Sequence, residues 1–310
     1  METGIKSKVL LTQNKTQGNG SVRSLFYLSF VTFLQFLRLI EEIINLVKIK
    51  DMNRLTKLAS GLALLLGLAS CASATATGKI KTGEIPVSKN YTELTVSSAI
   101  NILWSETATS ATLKADEAVY DKVIFERREG ELKIYVKTII GFKNVGPIDV
   151  ILPASPFIKD IELGGASTFK SATTLSVHKL DLEVNGASEF EANIVAANEI
   201  DIECTGASKV FSDVSTPDLS VNLSGASEAY LSGAAGITEI ETSGASSLNP
   251  YKGNTLTTGH TETEQSGSSK VTINCTGTLK CEASGASSLR HGPAAQVIYR
   301  RTSGAASVSE

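Results

Sequence analysis

From about residue 158 to the C-terminus, apolar and polar residues alternate in short runs, and one tripeptide sets their phase. Gly-Ala-Ser or a close copy begins at Gly165, Gly186, Gly206, Gly225, Gly244, Gly267, Gly285 and Gly304. The spacings are 21, 20, 19, 19, 23, 18 and 19 residues, so the unit is about 20 residues long. With each glycine as position zero, position −4 reads Ile161, Leu182, Ile202, Val221, Ile240, Thr263, Cys281, Arg300. Position −2 reads Leu163, Val184, Cys204, Leu223, Thr242, Gln265, Ala283, Thr302, and the residues between are polar. A period of two predicts a strand with one buried face before each glycine. A second short strand after it carries the +4 residue inward, beginning with Phe169 and Phe190.

A unit this small cannot bury its own apolar face, but stacked units bury a continuous one. The pattern therefore predicts an all-β, right-handed parallel β-helix with one repeat per coil. At ~4.8 Å per coil, eight coils make a rod on the order of 40 Å long. The competing architecture is a β-prism or sandwich in which each repeat is a hairpin, although the Asn-Gly or Asp-Gly signal of tight hairpins is missing. The eight motif glycines are assigned to structural corners with positive φ. The stacked Ser167, Ser188, Ser208, Ser227, Ser246, Ser269 and Ser287 are expected to form a hydroxyl ladder, each donating to the next. Gly225→Val is expected to cost more than Gly→Ala, ~2–4 kcal/mol through overpacking. The same change at Gly304, in a terminal coil with one neighbour, is expected to cost less.

Residues 79–157 carry strand-rich runs of less regular spacing, with a tight reversal expected at Arg128-Glu129-Gly130. They are expected to form irregular N-terminal coils or a cap over an otherwise open edge, and residues 158–310 the repeat β-helix. The start of the chain has a different texture. Leu25–Leu37 is an apolar run shorter than the ~20 residues of a membrane helix. At Met52 a second pattern begins, with basic Arg54 and Lys57, then the apolar stretch Leu58–Leu68, then Leu68-Ala69-Ser70-Cys71. This reads as a secretory signal over residues 52–70, and it resembles the lipobox of bacterial lipoproteins. That resemblance implies cleavage before Cys71 and a diacylglyceryl group on its sulfur. Residues 71–78 are polar and small, as a tether would be. Residues 1–51 are then expected to be a non-native upstream extension. The competing readings are a core helix that contains this tetrapeptide, or a genuine second membrane segment.

Charge sharpens after that cut. The whole chain has 29 Lys/Arg and 32 Asp/Glu; without residues 1–71, which hold nine and four of them, the net charge is −8. An acidic balance argues against a nucleic-acid partner. Besides Cys71 the body holds Cys204, Cys275 and Cys281, an odd number that does not read as a disulfide framework. A Cys275–Cys281 bridge and three buried thiols are the two alternatives.

The order of these features resembles a known family. Cys71 is followed by ELTVSSAINILWS, a later Leu132-x-Ile134-Tyr135 strand, Val150–Pro153, and then Ile-x-Leu-x-Gly-Ala-Ser repeats. This resembles the "putative auto-transporter adhesin, head GIN domain" family, common in Bacteroidetes envelopes, across roughly residues 79–310. The resemblance implies a right-handed β-helical, membrane-anchored envelope lipoprotein, with the outer membrane as its address. One departure concerns surface export: lipoproteins exported to the surface in that phylum tend to carry acidic residues after the Cys, and here Ala72, Ser73, Ala74 and Thr75 follow.

Candidate chemistry lies on the outer face. Position −3 supplies Glu162, Glu183 and Glu203, and position −5 supplies Asp160, Asp181 and Asp201. They are expected to form two parallel acidic columns, a face for a cation or a partner. Like charges opposite one another are destabilising, so the columns are solvated, offset by weakly held Ca²⁺, or met by a basic or glycan-bearing partner. No catalytic residue, metal ligand or cofactor is assigned. The function expected is a non-enzymatic, lipid-anchored adhesin or spacer with an unknown protein or glycan ligand. The alternative is a carbohydrate-active β-helical enzyme, a lyase or glycosidase. Against it, no carboxylate is singled out by its surroundings, Lys179 and Lys209 are isolated, and Trp104, Tyr230, Tyr251 and Tyr299 are scattered along the chain.

Overall fold

The structure is a computed structural model, and it describes residues 74–137, 142–143 and 146–310. The proposed extension 1–51, the signal 52–70 and Cys71 lie outside the described residues. The described chain is a parallel β-solenoid of about eight turns. The repeat strands pair in register, coil on coil: Asp160 with Asp181, Asp181 with Asp201, Ile161 with Leu182, Leu182 with Ile202. The same ladder continues through Val221, Ile240, Thr263 and Cys281 to Arg300. A second face stacks the residues after each corner, Phe169 on Phe190 on Val210 on Ala229. A third face runs from Leu175 through Ile194 to Val214. Parallel pairing through every repeat excludes the hairpin-based prism.

The corner explains the glycine. All eight motif glycines have φ between +71° and +79°, a region that costs a residue with a Cβ ~1 kcal/mol or more. The hydrogen-bond ladder does not stop at the corner. The N–H of Ala187 donates to the Gly165 carbonyl at 2.8 Å, and Ala207, Ala226 and Ala245 repeat the bond at 2.7 Å to Gly186, Gly206 and Gly225. A Cβ on Gly186 would lie 2.6 Å from the Gly165 carbonyl oxygen, and one on Gly225 2.8 Å from that of Gly206. Backbone therefore packs directly on backbone.

The serine after each of the first seven motif corners is buried, but the serines do not form a hydroxyl ladder. Ser167 Oγ donates to the Gly164 carbonyl at 2.9 Å and Ser287 Oγ to the Ser284 carbonyl at 2.9 Å, each within its own turn. Ser227 Oγ donates to the Cys204 carbonyl of the preceding coil at 3.2 Å. The hydroxyls of Ser167, Ser227, Ser246 and Ser287 thus donate to carbonyls of their own turn or of the preceding coil, whereas Ser208 Oγ has no hydrogen-bond partner among the described residues.

The N-terminal part departs from the simple order. Glu93–Val96 sits between Asp160–Leu163 on one side and Glu131–Val136 on the other, all parallel. Val123–Arg128 then closes this end as an antiparallel hairpin with Glu131–Val136, and Glu129 and Gly130 turn at positive φ. On the second face, Ala111–Asp116 and Ile80–Ile85 add antiparallel strands beyond Ile148–Pro153. A one-turn helix, Glu117–Tyr120, interrupts the strands, where the sequence showed no helical period. Its cap, Asp116, accepts from the N–H groups of Ala118 (2.9 Å), Gly78 (2.9 Å) and Thr77 (3.1 Å). Those bonds, the Ala118 N–H first, hold the Asp116 carboxyl below the usual carboxylate range. The last residues of the expected tether are therefore fixed to the body. Another corner also emerges: Ser98, in register with Gly165, has φ +76° without being glycine.

The interior changes along the axis. At the N-terminal end Tyr91, Trp104, Phe169 and Phe190 pack in series, with ring centroids 5.9, 5.4 and 5.1 Å apart. Towards the other end the −2 and −4 positions become Thr242, Thr263 and Gln265, all buried. Neither amide atom of Gln265 hydrogen-bonds to a protein group. Cys204, Cys275 and Cys281 are buried and free, and burial pushes the Cys204 thiol up to about 12.

Two predictions follow from this packing. The Cβ clash at each corner is with the preceding coil, so the terminal position of Gly304 gives no relief. Its Cβ would lie 2.7 Å from the Gly285 carbonyl oxygen, whereas that of Gly165 meets only the Ser98 nitrogen at 3.3 Å. Gly225→Ala and Gly304→Ala are each expected to cost ~2–4 kcal/mol, strain plus overpacking, and Gly165→Ala ~1 kcal/mol. Thermal unfolding of the three variants side by side checks this, and equal losses at all three would refute it. Gln265→Leu removes a buried amide without partners and is expected to stabilise the fold by ~1 kcal/mol; a lower midpoint in urea would show that the amide is satisfied.

Candidate functional site

The outward residues of the first face build the two acidic columns in the order the sequence implies. Glu162, Glu183 and Glu203 stand in register, and beside them Asp160, Asp181 and Asp201, with Glu93 continuing the second column past Asp160. Neighbouring positions in each column are one coil apart, so the carboxylates repel along the axis. Cations offset some of this: Lys159 reaches Glu93 at 3.2 Å, and Lys179 bridges Asp181 at 3.2 Å and Glu199 at 3.3 Å. Lys209 pairs with Glu228 at 2.8 Å. Neither Lys179 nor Lys209 is isolated, as the sequence suggested, because partners one coil away are about twenty residues distant in the chain.

One carboxylate does stand apart. Asp160 is pushed up to about 6, first by its partial burial and then by the charges of Asp181, Glu93, Glu183 and Glu162. Glu183 is shifted in the same direction, by burial first and then by Glu162 and Glu203. The sequence could not single out Asp160, because Glu93 joins its column only through the out-of-order N-terminal coil. Asp160 lies on an open column and not in a cleft with a second carboxylate poised opposite. Among the described residues, no three His, Cys, Asp or Glu side chains converge as metal ligands would.

The columns end in a concave surface towards the C-terminus. A groove of about 450 Å³ runs across five coils and is lined by Asn222, Glu241, Glu264, Glu282 and Arg301 at position −3. Ser243, Ser266, Ser284 and Ser303 at position −1 form its other wall. The three middle rungs, at Glu241, Glu264 and Glu282, each offer a carboxylate and a hydroxyl, and the last offers the Arg301 guanidinium beside Ser303. The serine row was legible in the repeat but was not recognised as a wall, since position −1 has no apolar period to mark it.

The aromatic residues are less scattered than their numbers suggest. Trp104 is in the core, against Tyr91 and Phe169. Tyr230 stacks on Phe211 of the preceding coil with centroids 4.9 Å apart and an 11° interplanar angle, and Tyr251 tilts against Phe211 at 6.1 Å. Tyr251 comes from a turn closed by the Tyr251–Asn254 bridge, with Lys252 over its ring at 4.5 Å. That turn accommodates the extra residues of the 23-residue repeat. Phe211 and Tyr230 stack on each other, and Tyr251 is buried, so few ring faces are free.

The solenoid, its corner glycines and its sheath of outward polar columns define a class, the parallel β-helical proteins of repeat type. The sequence profile described as "Putative auto-transporter adhesin, head GIN domain" matches residues 90–213 and 195–292. The chain belongs to that family. No curated protein matches the chain in sequence. Among solved structures, a putative adhesin from Parabacteroides distasonis ATCC 8503 is 14% identical, with a TM-score of 0.67 over 77% of this chain and 100% of its own. A putative adhesin from Parabacteroides merdae ATCC 43184 is 16% identical, with a TM-score of 0.68 over 77% and 98%. A putative lipid binding protein from Parabacteroides distasonis ATCC 8503 is 15% identical, with a TM-score of 0.67 over 77% and 99%. At these identities the likeness is one of fold.

The raised Asp160 carboxyl gives a pH prediction. Its folded value, about 6, exceeds the ordinary 3.8, so the folded chain holds this proton more tightly than the unfolded chain. The associated stability is complete below about 3.8 and is lost as pH rises through about 6. Asp160→Asn is expected to raise the melting temperature at pH 7.5 and to flatten its dependence between about pH 4 and 6. A variant that melts lower at pH 7.5 would show Asp160 to be a net stabilising charge.

Proposed function

We propose that this chain is a non-enzymatic binding or spacer rod of the bacterial cell envelope, held at the outer membrane by a lipid on Cys71. The observation that carries the reading is the unbroken coil register from Glu93 to Arg300. A stack of this kind offers repeated outward surfaces, and nowhere among the described residues does it interrupt them to enclose a pair of catalytic groups. Family membership supports an adhesin-type envelope or surface role. Among the described residues no helix is long and apolar enough to cross a membrane. Attachment in this reading falls to the lipid, and stable anchoring takes more than one acyl chain.

The ligand is a protein or a glycan, and the groove between Asn222 and Arg301 is the surface assigned to it. Carboxylates and hydroxyls repeating at the coil spacing suit a polyhydroxylated chain lying along the axis, with each rung accepting and donating. Fractionation of cells expressing the full chain tests the anchor. Wild type is expected in the membrane pellet with Cys71 acylated, and Cys71→Ser in the soluble fraction. A soluble wild type that retains residues 52–71 would remove the anchor from the proposal. Turnover of pectin or alginate that Glu241→Gln or Glu264→Gln abolishes would overturn the non-enzymatic reading.

A further inference from the structure

The last coil breaks the pattern of the others. Position −4 is Ile, Leu, Val, Thr or Cys in the seven preceding repeats and position −3 is Glu or Asn, but the last coil carries Arg300 and Arg301 there. Its strand, Gln296–Thr302, pairs with Thr278–Ala283 on one side. On the other side it pairs with no strand among the described residues, so a row of backbone donors and acceptors faces outward. All seven of its residues are exposed, with Val297, Ile298 and Tyr299 at 40%, 52% and 45%. Glu282 is the last carboxylate of the −3 column, and both Arg301 (3.8 Å) and the donating Tyr299 hydroxyl (3.1 Å) lean back on it. Arg300 has no ion pair among the described residues. The sign of the column has reversed at its end. A strand laid beyond Gln296–Thr302 meets Arg301 where most inner strands meet a glutamate.

We propose that Gln296–Thr302 is an acceptor edge for strand addition by an extended acidic segment of a partner protein. Main-chain hydrogen bonds supply the affinity of such an addition and alternate side chains its specificity. Carboxylates at alternate positions of the partner would line its outward face, where one stands opposite Arg301, while Arg300 adds positive charge one residue earlier in the same exposed strand. The charge also argues against a second copy of this chain as the occupant. An identical edge repeats both arginines, and the edge hairpin strand at the opposite end, Val123–Arg128, ends in Arg127 and Arg128. An arginine at the inward position is moreover one of the devices that keep an apolar edge from pairing with itself. The edge exists whether or not Cys71 carries lipid.

The probe is an acetylated heptapeptide copying residues 199–205 with Cys204→Ser, a sequence that is already an inner strand of this stack. Fluorescence anisotropy is expected to show saturable binding, weakened severalfold between about 0.05 and about 0.5 M NaCl. The double variant Arg300→Glu/Arg301→Glu is expected to lose at least about tenfold in affinity, and Arg300→Gln/Arg301→Gln less, with both melting near wild type. Amide exchange of residues 296–302 is expected to slow on binding. Methylating alternate peptide nitrogens should abolish binding while leaving the carboxylates in place. No binding at millimolar peptide, equal binding by the N-methylated peptide, or indifference to charge reversal would each overturn the proposal. So would sedimentation showing that the chain alone associates through this edge, since the occupant would then be a second copy.

Discussion

The fold depends on one close approach, the seating of each motif glycine on the carbonyl of the glycine one coil before it. A hydrogen bond of 2.7–2.8 Å passes through every corner of the repeat, so the ladder of the flat faces is continuous around the bend. Ordinary solenoid corners can tolerate a side chain if the backbone bows outward. Here the approach leaves no volume for a Cβ from Gly186 onward, and φ is positive as well. Both conditions select glycine, and either alone would cost a substituent ~1 kcal/mol or more. At several corners the buried serine two residues later adds a bond to a carbonyl of its own turn or of the preceding coil. The tripeptide is thus a backbone device, and its regularity sets the register of everything outward and inward of it.

Given that register, the side chains are free to vary along the axis, and they do so in a graded way. The N-terminal coils hold the aromatic series from Tyr91 to Phe190, each ring filling the gap left by the last. The C-terminal coils hold threonines and Gln265. Apolar burial is therefore concentrated at the end that is also closed by antiparallel strands. Charge is graded in the same direction. Residues 74–157 hold ten Lys/Arg and ten Asp/Glu, whereas residues 158–310 hold ten and eighteen. The neutral, aromatic-filled, capped end adjoins the polar segment after Cys71, and the acidic, more polar end projects the groove and the exposed strand. In a one-dimensional stack the two ends can differ this much, because each coil answers only to its neighbours.

The repeat was legible because its signal is redundant. Eight glycines in phase with alternating apolar residues identify the strand, the corner and the outer columns without any contact being known. What was not legible is what depends on a partner a full coil away in an irregular place. Ser98 occupies a motif corner with no glycine to mark it, and the register with Gly165 is visible only once Leu94 is seen beside Ile161. Glu93 reaches the acidic column through the same out-of-order coil, and with it comes the distinct environment of Asp160. Phe211, Tyr230 and Tyr251 look unrelated at separations of about twenty residues, yet stacking makes them one cluster. The serines misled for a different reason. Their spacing is right for a ladder, but the hydroxyls of Ser167, Ser227, Ser246 and Ser287 turn to backbone carbonyls instead.

The columns of like charge then make physical sense as a consequence of register and not as a site in themselves. A corner that fixes one residue in twenty also fixes which residues stack outward, so a carboxylate useful in one coil is repeated beside its own kind in the next. The repulsion is lowered where lysines such as Lys179 reach across two coils. At Asp160 withdrawal of part of the carboxyl from water acts first, and the repulsion of Asp181 and Glu93 adds to it. At the far end it is reversed, because Arg301 takes the place of the next glutamate and pairs with the last one. Of the two arginines in the exposed strand Gln296–Thr302, Arg301 is paired with Glu282, and Arg300 has no ion pair among the described residues.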